Sequence, residues 1–211
     1  MMHDGTHAAT MDAHWGGGVS PFAATWQKTM IWIFIVTDGL LFSGLLCGYG
    51  YLRMASQSPW PKQSQVFHIW FIAMMTFILI TSSMTMGTAV TAARLGDRKK
   101  ALANLVFTIA GGLFFLGCQA YEWTNLIHEG LSLARNPFPH GVGGPPQFGQ
   151  AFFVLTGFHG SHVFSGLVIL VITAIRTWMG KTPAQGVEIA GLYWHFVDLV
   201  WVFIFTLFYL L

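Results

Sequence analysis

Five long apolar runs leave this chain little freedom in how it can fold. They cover 29–52, 67–93, 101–121, 149–175 and 189–211, and a helix needs about 20 largely apolar residues to cross a bilayer. The first run carries one formal charge, Asp38, the last carries Asp198, and the three between carry none. None of them alternates with the period of two that a membrane β-barrel requires. Only 9% of the 211 residues are charged, against roughly 25% in soluble proteins, so too little charge remains to cover a soluble surface. The chain reads as all-α: a polytopic membrane helical bundle with five transmembrane helices in a domain over 29–211, preceded by a polar tail over 1–28.

That tail is rich in glycine and holds His3, His7 and His14. It lacks an apolar core, so no cleaved signal peptide is expected and the first span inserts the protein itself. Lys28, Arg94, Arg98, Lys99, Lys100, Arg176 and Lys181 share the side of the N-terminus, whereas Arg53, Lys62 and Arg135 lie on the other. This excess places the N-terminus inside and, with five spans, the C-terminus outside. The same basic residues are too few and too scattered for nucleic-acid binding. Cys47 and Cys118 fall inside apolar runs and form no disulfide framework. The short loop Gly96-Asp-Arg-Lys-Lys100 makes spans two and three an antiparallel pair. Beyond span three, Trp123, Leu126, Ile127, Leu131 and Ala134 keep helical spacing, which extends that helix to about residue 135. The stretch from Asn136 to Gly149 is then rich in proline and glycine (Pro137, Pro139, Pro145, Pro146, Gly141, Gly143, Gly144) and is expected to be irregular.

Ionisable groups at membrane depth are costly and draw attention first. Asp38 lies roughly 13 Å from the inner edge and Asp198 about 14 Å, so the two aspartates are expected at one level. Burial disfavours their charged form unless a cation or several donors compensate. Each has two readings: a proton-exchanging carboxylate, or a satisfied acid that locks helices together. His195 stands three residues before Asp198 on the same helix face, a spacing that allows the two to pair. His159 and His162 are likewise three apart. Metal or haem ligation is the sharp reading of these imidazoles. A bis-histidine haem needs matching depths, however, and His162 lies about 20 Å above the inner edge against about 9 Å for His195. The mismatch favours hydrogen bonding between helices.

Gly157, Ser161 and Ser165 repeat every four residues, a pattern that lets helices approach closely. Gly111, Gly112 and Gly117 and the hydroxyls of Thr81, Ser82, Thr85 and Thr88 add to a tightly packed bundle. Met74, Met75, Met84 and Met86 are read as packing rather than as soft-metal ligands. Trp26, Trp60, Trp70, Trp123 and Trp178 stand near span ends, where aromatic belts form. Arg176, just past span four, is either a lipid-phosphate ligand or an ordinary interfacial anchor. No phosphate-cradling loop, nucleophile elbow or cysteine–histidine metal motif is present.

Phe152-Phe-Val-Leu-Thr-Gly-Phe-His-Gly-Ser-His-Val163 resembles the FF-x-x-TGFHG-x-HV run of subunit III of the haem–copper respiratory oxidases. Tyr193-Trp-His-Phe-Val-Asp-Leu-Val-Trp201 resembles that family's YWHFVD-x-VW run. Gln119-Ala-Tyr-Glu122, the charged loop Gly96-Asp-Arg-Lys99, and Ile35-Val-Thr-Asp38 followed by Leu41, Phe42 and Gly44 match further family segments in order. Long family members have seven helices; this chain resembles the five-helix bacterial form, with aspartate where mitochondrial-type members carry glutamate. The resemblance implies an accessory subunit of a cytochrome c oxidase or, as the alternative, of a quinol oxidase. Haem and copper are then expected in partner subunits I and II, with none in this chain. Bound phospholipid, a bacterial inner membrane location and association with a larger respiratory supercomplex are also in keeping with it. On this reading Asp38 is the buried carboxylate linked to proton uptake. Glu122, His159, His162, His195 and Asp198 form structural hydrogen-bond networks, and Arg176 holds lipid phosphate. Two competing readings stand beside it: an independent membrane haem protein using His159, His162 and His195, and an ion transporter built on Asp38 and Asp198.

Overall fold

A computed structural model describes residues 25–138 and 143–211; His3, His7, His14, Pro139 and Gly141 lie outside the described residues. The described chain is all-helical. Its elements are α1 (Trp26–Ala55), the one-turn α2 (Gln63–Val66), α3 (Ile69–Arg94), α4 (Arg98–His128), α5 (Pro146–Trp178) and α6 (Ala184–Ile204), which runs on into a π-helical turn (Phe205–Leu210). Five helices, with α6 and its π-helical turn counted together, are long and apolar enough to cross a membrane. Most outreach the apolar runs at one or both ends, because a helix continues into the interfacial layer where polar residues are welcome.

Local chemistry sets the helix limits. Pro59 and Pro61 follow α1 and cannot continue a helix. Asp97 caps α4 by accepting from the Lys100 amide at 3.0 Å, the orphan donor that an N-cap serves. Pro146 opens α5 at a position where no amide donor is needed. Gly96 (φ 77°) and Gly130 (φ 94°) stand just past α3 and α4 in the left-handed region. At Gly130 the Leu131 amide bonds Leu126 O at 2.9 Å and the Gly130 amide bonds Ile127 O at 3.0 Å, the paired closure of a glycine-terminated helix. This corrects the expected extension to residue 135. The helix stops at His128, and Leu131 is buried against the start of α5 at Gly149 rather than by helical continuation. Asn136 ties that loop together, its amide donating to Pro145 O at 3.1 Å while its carbonyl accepts from the Phe138 amide at 3.0 Å.

The helices α3, α4, α5 and α6 close into a four-helix ring, each touching the next, and α1 packs outside it against α5 and α6. Three aromatic side chains from the last span, Trp194, Trp201 and Tyr209, fill the axis of the ring and are almost fully buried. Each tip has a partner. The Trp194 indole donates to Ser82 at 3.2 Å, the Trp201 indole to Thr76 at 2.9 Å, and the Tyr209 hydroxyl to Glu122 at 3.1 Å. Small residues make the room, since a Cβ on Gly112 would meet Trp194 Cη2 at 2.5 Å. Likewise Gly111 lies against Ser82, and Thr85–Thr108 (2.8 Å) and Thr88–Asn104 (3.0 Å) join the same helix pair. The stripe Gly157–Ser161–Ser165 is used unevenly. Gly157 meets the Trp123 ring and Ser165 bonds the Tyr193 hydroxyl at 2.6 Å, but Ser161 is exposed and bonds only its own helix. Of the five end-of-span tryptophans, Trp26, Trp70 and Trp178 are exposed. Trp60 instead packs edge-on against Tyr49 and Phe148, and Trp123 donates to Thr156 at 3.1 Å.

Candidate functional site

Asp38, near the middle of α1, is turned toward the rest of the bundle. It is 8% exposed, and its Oδ2 lies 3.3 Å from Nε2 of His162 on α5. The other ring nitrogen of His162 is 2.8 Å from Phe158 O, one turn back on its own helix. A carbonyl only accepts, so Nδ1 carries a hydrogen. The pair is a close polar contact joining two helices, and Oδ2 makes no regular hydrogen bond. Phe42 stands edge-on to the His162 ring at 5.3 Å, and the Tyr193 hydroxyl donates to His162 O at 3.3 Å. Sequence reasoning selected both residues but did not put them together, because counting rise along separate helices assigned them different depths.

His159 differs from expectation. It is 1% exposed, and neither ring nitrogen has a hydrogen-bond partner. Its ring lies 5.1 Å from Trp201 at 31° and meets Phe115 at 5.9 Å nearly perpendicularly. It acts as an aromatic filler in the core, and the expected hydrogen-bonding role is corrected on that ground.

His195 and Asp198 do not pair with each other. His195 Nδ1 lies 2.6 Å from the Ser83 hydroxyl of α3, and Asp198 is within reach of the same hydroxyl. Ser83 therefore takes the place of the expected His–Asp contact, and the Asp198 Oδ1 atom is left without a partner. The only signal for Ser83 was its membership of the hydroxyl-rich run on span two. Gly39 faces the Phe196 ring across the α1–α6 contact.

Glu122 is 7% exposed. Its Oε2 accepts from Gln119 at 3.0 Å and from Tyr209 at 3.1 Å, joining α4 to the last turn of the chain. Tyr209 was not foreseen. Its signal was a polar-tipped aromatic deep in a terminal apolar run, a residue that needs a buried partner.

At the membrane face where α1 begins, Arg176 is exposed and lines a cleft of about 330 Å³ with Gln27, Thr182 and Gln185. An unforeseen ion cluster sits at the same face. Glu188 Oε1 lies 2.6 Å from Lys28 Nζ and 2.8 Å from an Arg94 guanidinium nitrogen. Gln185 also donates to Thr25 and, at 3.1 Å, to Gln27. Arg98 donates from Nε to Thr177 O at 2.5 Å, fastening the start of α4 to the end of α5. Among the described residues, no three His, Cys, Asp or Glu side chains converge as a metal-holding group.

Five helices long and apolar enough to cross a membrane, packed as one bundle, define the class of polytopic helical membrane proteins. Over residues 7–211 the sequence matches the family described as cytochrome c oxidase subunit III. A probable cytochrome c oxidase subunit 3 of Mycobacterium bovis is 35% identical over 184 residues, covering 86% of this chain and 85% of the relative. A quinol oxidase subunit 3 of Bacillus spizizenii is 35% identical over 183 residues, covering 85% and 84%. A cytochrome bo(3) ubiquinol oxidase subunit 3 of Pseudomonas aeruginosa is 31% identical over 212 residues, covering 99% and 90%. The chain belongs to the cytochrome c oxidase subunit III family and is a subunit of an oxidase complex.

Proposed function

We propose that this chain is the non-catalytic subunit III of a proton-pumping cytochrome c oxidase. Haem and copper reside in partner subunits I and II, and this chain packs against subunit I and stabilises it. The N-terminus faces the inside of a bacterial inner membrane. The observation that carries this reading is the way the imidazoles are committed. His162 is turned to Asp38, His195 to Ser83, and His159 lies against Trp201 with Phe115 edge-on to it. Each serves a different neighbour within the bundle, a distribution that suits joinery between helices.

Two further roles attach to particular places. Asp38, in contact with His162, helps to sustain proton uptake by the complex. Arg176 holds a lipid phosphate in its cleft, where the Thr182 hydroxyl is buried without a partner and offers a second donor.

Co-purification tests the reading. The complex isolated in mild detergent should carry haem and copper, and the chain expressed alone should be colourless. A Soret band in the isolated chain would overturn it in favour of a haem protein, and specific ion flux in proteoliposomes holding this chain alone would favour a transporter. The similarity to quinol oxidase subunits equals that to cytochrome c oxidase subunits, so a quinol oxidase is the second reading. A binuclear copper centre on subunit II decides for cytochrome c, and its absence decides for quinol.

A further inference from the structure

At the membrane face opposite Arg176, a cleft of about 440 Å³ opens between the start of α3 and the end of α4. Glu122 forms its inner wall, and His68, Asn125, His128 and Glu129 surround it. Phe71 and the exposed Tyr121 line its outer side, and the buried Ile72 closes its floor. Two observations converge there. The first is the wall itself: Glu122 is more than nine-tenths buried, and while its Oε2 is taken by Gln119 and Tyr209, its Oε1 has no hydrogen-bond partner. A buried carboxylate oxygen left unpaired calls for a donor, and a cation is the strongest. The second is position: the apolar run of span three ends at Tyr121 and that of span two begins at Phe67, so the cleft lies at headgroup level.

We propose that this cleft binds the ammonium headgroup of an aminophospholipid such as phosphatidylethanolamine. Glu122 and Glu129 receive the ammonium, the imidazoles of His68 and His128 donate to the phosphate, and the acyl chains descend along Phe71 and Tyr121. A zwitterionic headgroup suits a wall that combines carboxyls with neutral donors. A phosphatidylglycerol headgroup brings no cation to Glu122. This site is separate from the Arg176 cleft and does not depend on it.

The test uses the intact oxidase purified in mild detergent and re-equilibrated with phosphatidylethanolamine, phosphatidylglycerol or glycerophosphoethanolamine, with bound lipid counted by native mass spectrometry. Glu122→Gln keeps an oxygen for Gln119 and Tyr209 but removes the charge. It should lower phosphatidylethanolamine retention roughly tenfold or more, the scale of one charge-assisted hydrogen bond, and leave phosphatidylglycerol retention unchanged. If that variant fails to assemble, Asn125→Leu at the exposed mouth fills the cleft without touching the partners of Glu122 and should produce the same selective loss. Equal retention of phosphatidylethanolamine in wild type and variants overturns the proposal, as does parallel loss of both lipids. Displacement of the lipid by glycerophosphoethanolamine at comparable concentration makes this a site for a soluble amine, and crosslinking of Glu122 to a lysine of a partner subunit assigns it to protein; either result overturns it.

Discussion

The first and last membrane helices each carry a single aspartate inside the bilayer, yet they are built on opposite plans. In the last span 56% of the most apolar stretch is buried within the chain; in α1 the share is 11%. The last span sends Trp194, Trp201 and Tyr209 into the axis of the ring and touches α1, α3 and α5. On α1, Trp32, Ile33, Val36 and Leu40 face outward, and a Cβ on Gly44 or Gly48 would meet nothing within 4 Å. Lipid is as apolar as leucine, so outward-facing side chains do not pull α1 onto the bundle. What locates α1 is a short set of specific contacts: Asp38 with His162, Phe42 with Phe158 at 5.0 Å, Phe34 with Tyr193 at 5.9 Å, and Lys28 with Glu188. Packing positions the last helix, whereas polar and aromatic contacts position the first.

If this contrast holds, damage should be largest at the axis. Trp194→Ala removes the largest buried ring at its level together with its bond to Ser82, and should cost about 3–5 kcal/mol, the range for large aromatic truncations. Thermal unfolding of the detergent-solubilised subunit measures this, and a loss no larger than that of an α1 surface variant would break the comparison. Glycine-to-alanine substitutions sharpen it by sign. Gly112→Ala forces a methyl against Trp194 Cη2 at 2.5 Å and Leu167 Cδ2 at 2.8 Å, so it should destabilise by about 1–3 kcal/mol. Gly48→Ala should be neutral or stabilise the isolated chain by up to about 1 kcal/mol, because alanine favours an unhindered helix. The same Gly48→Ala change measured in the whole oxidase reveals whether a partner uses that bare face.

The Asp38–His162 contact should rank next. Asp38→Ala strands the His162 ring and should cost about 1 kcal/mol, in line with hydrogen bonds between membrane helices. Asp38→Asn keeps an acceptor and should cost less. The asparagine variant is expected to assemble, with the haem spectrum of the complex unchanged. Loss of the haem signal would show that α1 organises the partner more deeply than its few contacts suggest.

The helical plan was legible because hydropathy alone marks segments that a bilayer will accept. Every span was found, along with the tight α3–α4 pair, but the stretch expected to be irregular up to Gly149 turns helical from Pro146, where proline suits the first helical position. The overrun past His128 arose because Leu131 and Ala134 continue the apolar spacing, while the backbone obeys the left-handed glycine between them and the helix. Site residues were legible by type and not by partner. Asp38 and His162 stand out as polar residues in apolar surroundings and Glu122 through its family segment, but Ser83 and Tyr209, which complete two of the contacts, look like ordinary members of their helices. Pairing depends on the rotation and relative height of neighbouring helices, which a single sequence does not encode in any local signal. His159 was misjudged for a related reason: a buried imidazole packed among indole and phenyl rings looks the same in sequence as one that bonds.

The smallest expected effect lies at the membrane face where α1 begins. Glu188 binds Lys28 of α1 and Arg94 of α3 with one carboxylate oxygen, and those basic side chains are 32% and 58% exposed. Exposed ion pairs contribute roughly 0–1 kcal/mol each and weaken as salt rises. Glu188→Gln should therefore lower stability by less than about 1 kcal/mol at low salt and by still less at high salt, where wild type already loses most of the attraction. The loosening should be felt by α1 first, because α3 is also held by Ser82, Ser83 and Thr76 while the start of α1 depends on Lys28 and on the Gln185 contacts with Thr25 and Gln27. Limited proteolysis near the start of α1 at two salt concentrations measures it. Cleavage that rises in Glu188→Gln only at low salt supports electrostatic tethering of a peripheral helix. Equal cleavage at both would mean that α1 is held there by packing after all, and the distinction between the two aspartate-bearing helices would narrow to their middles.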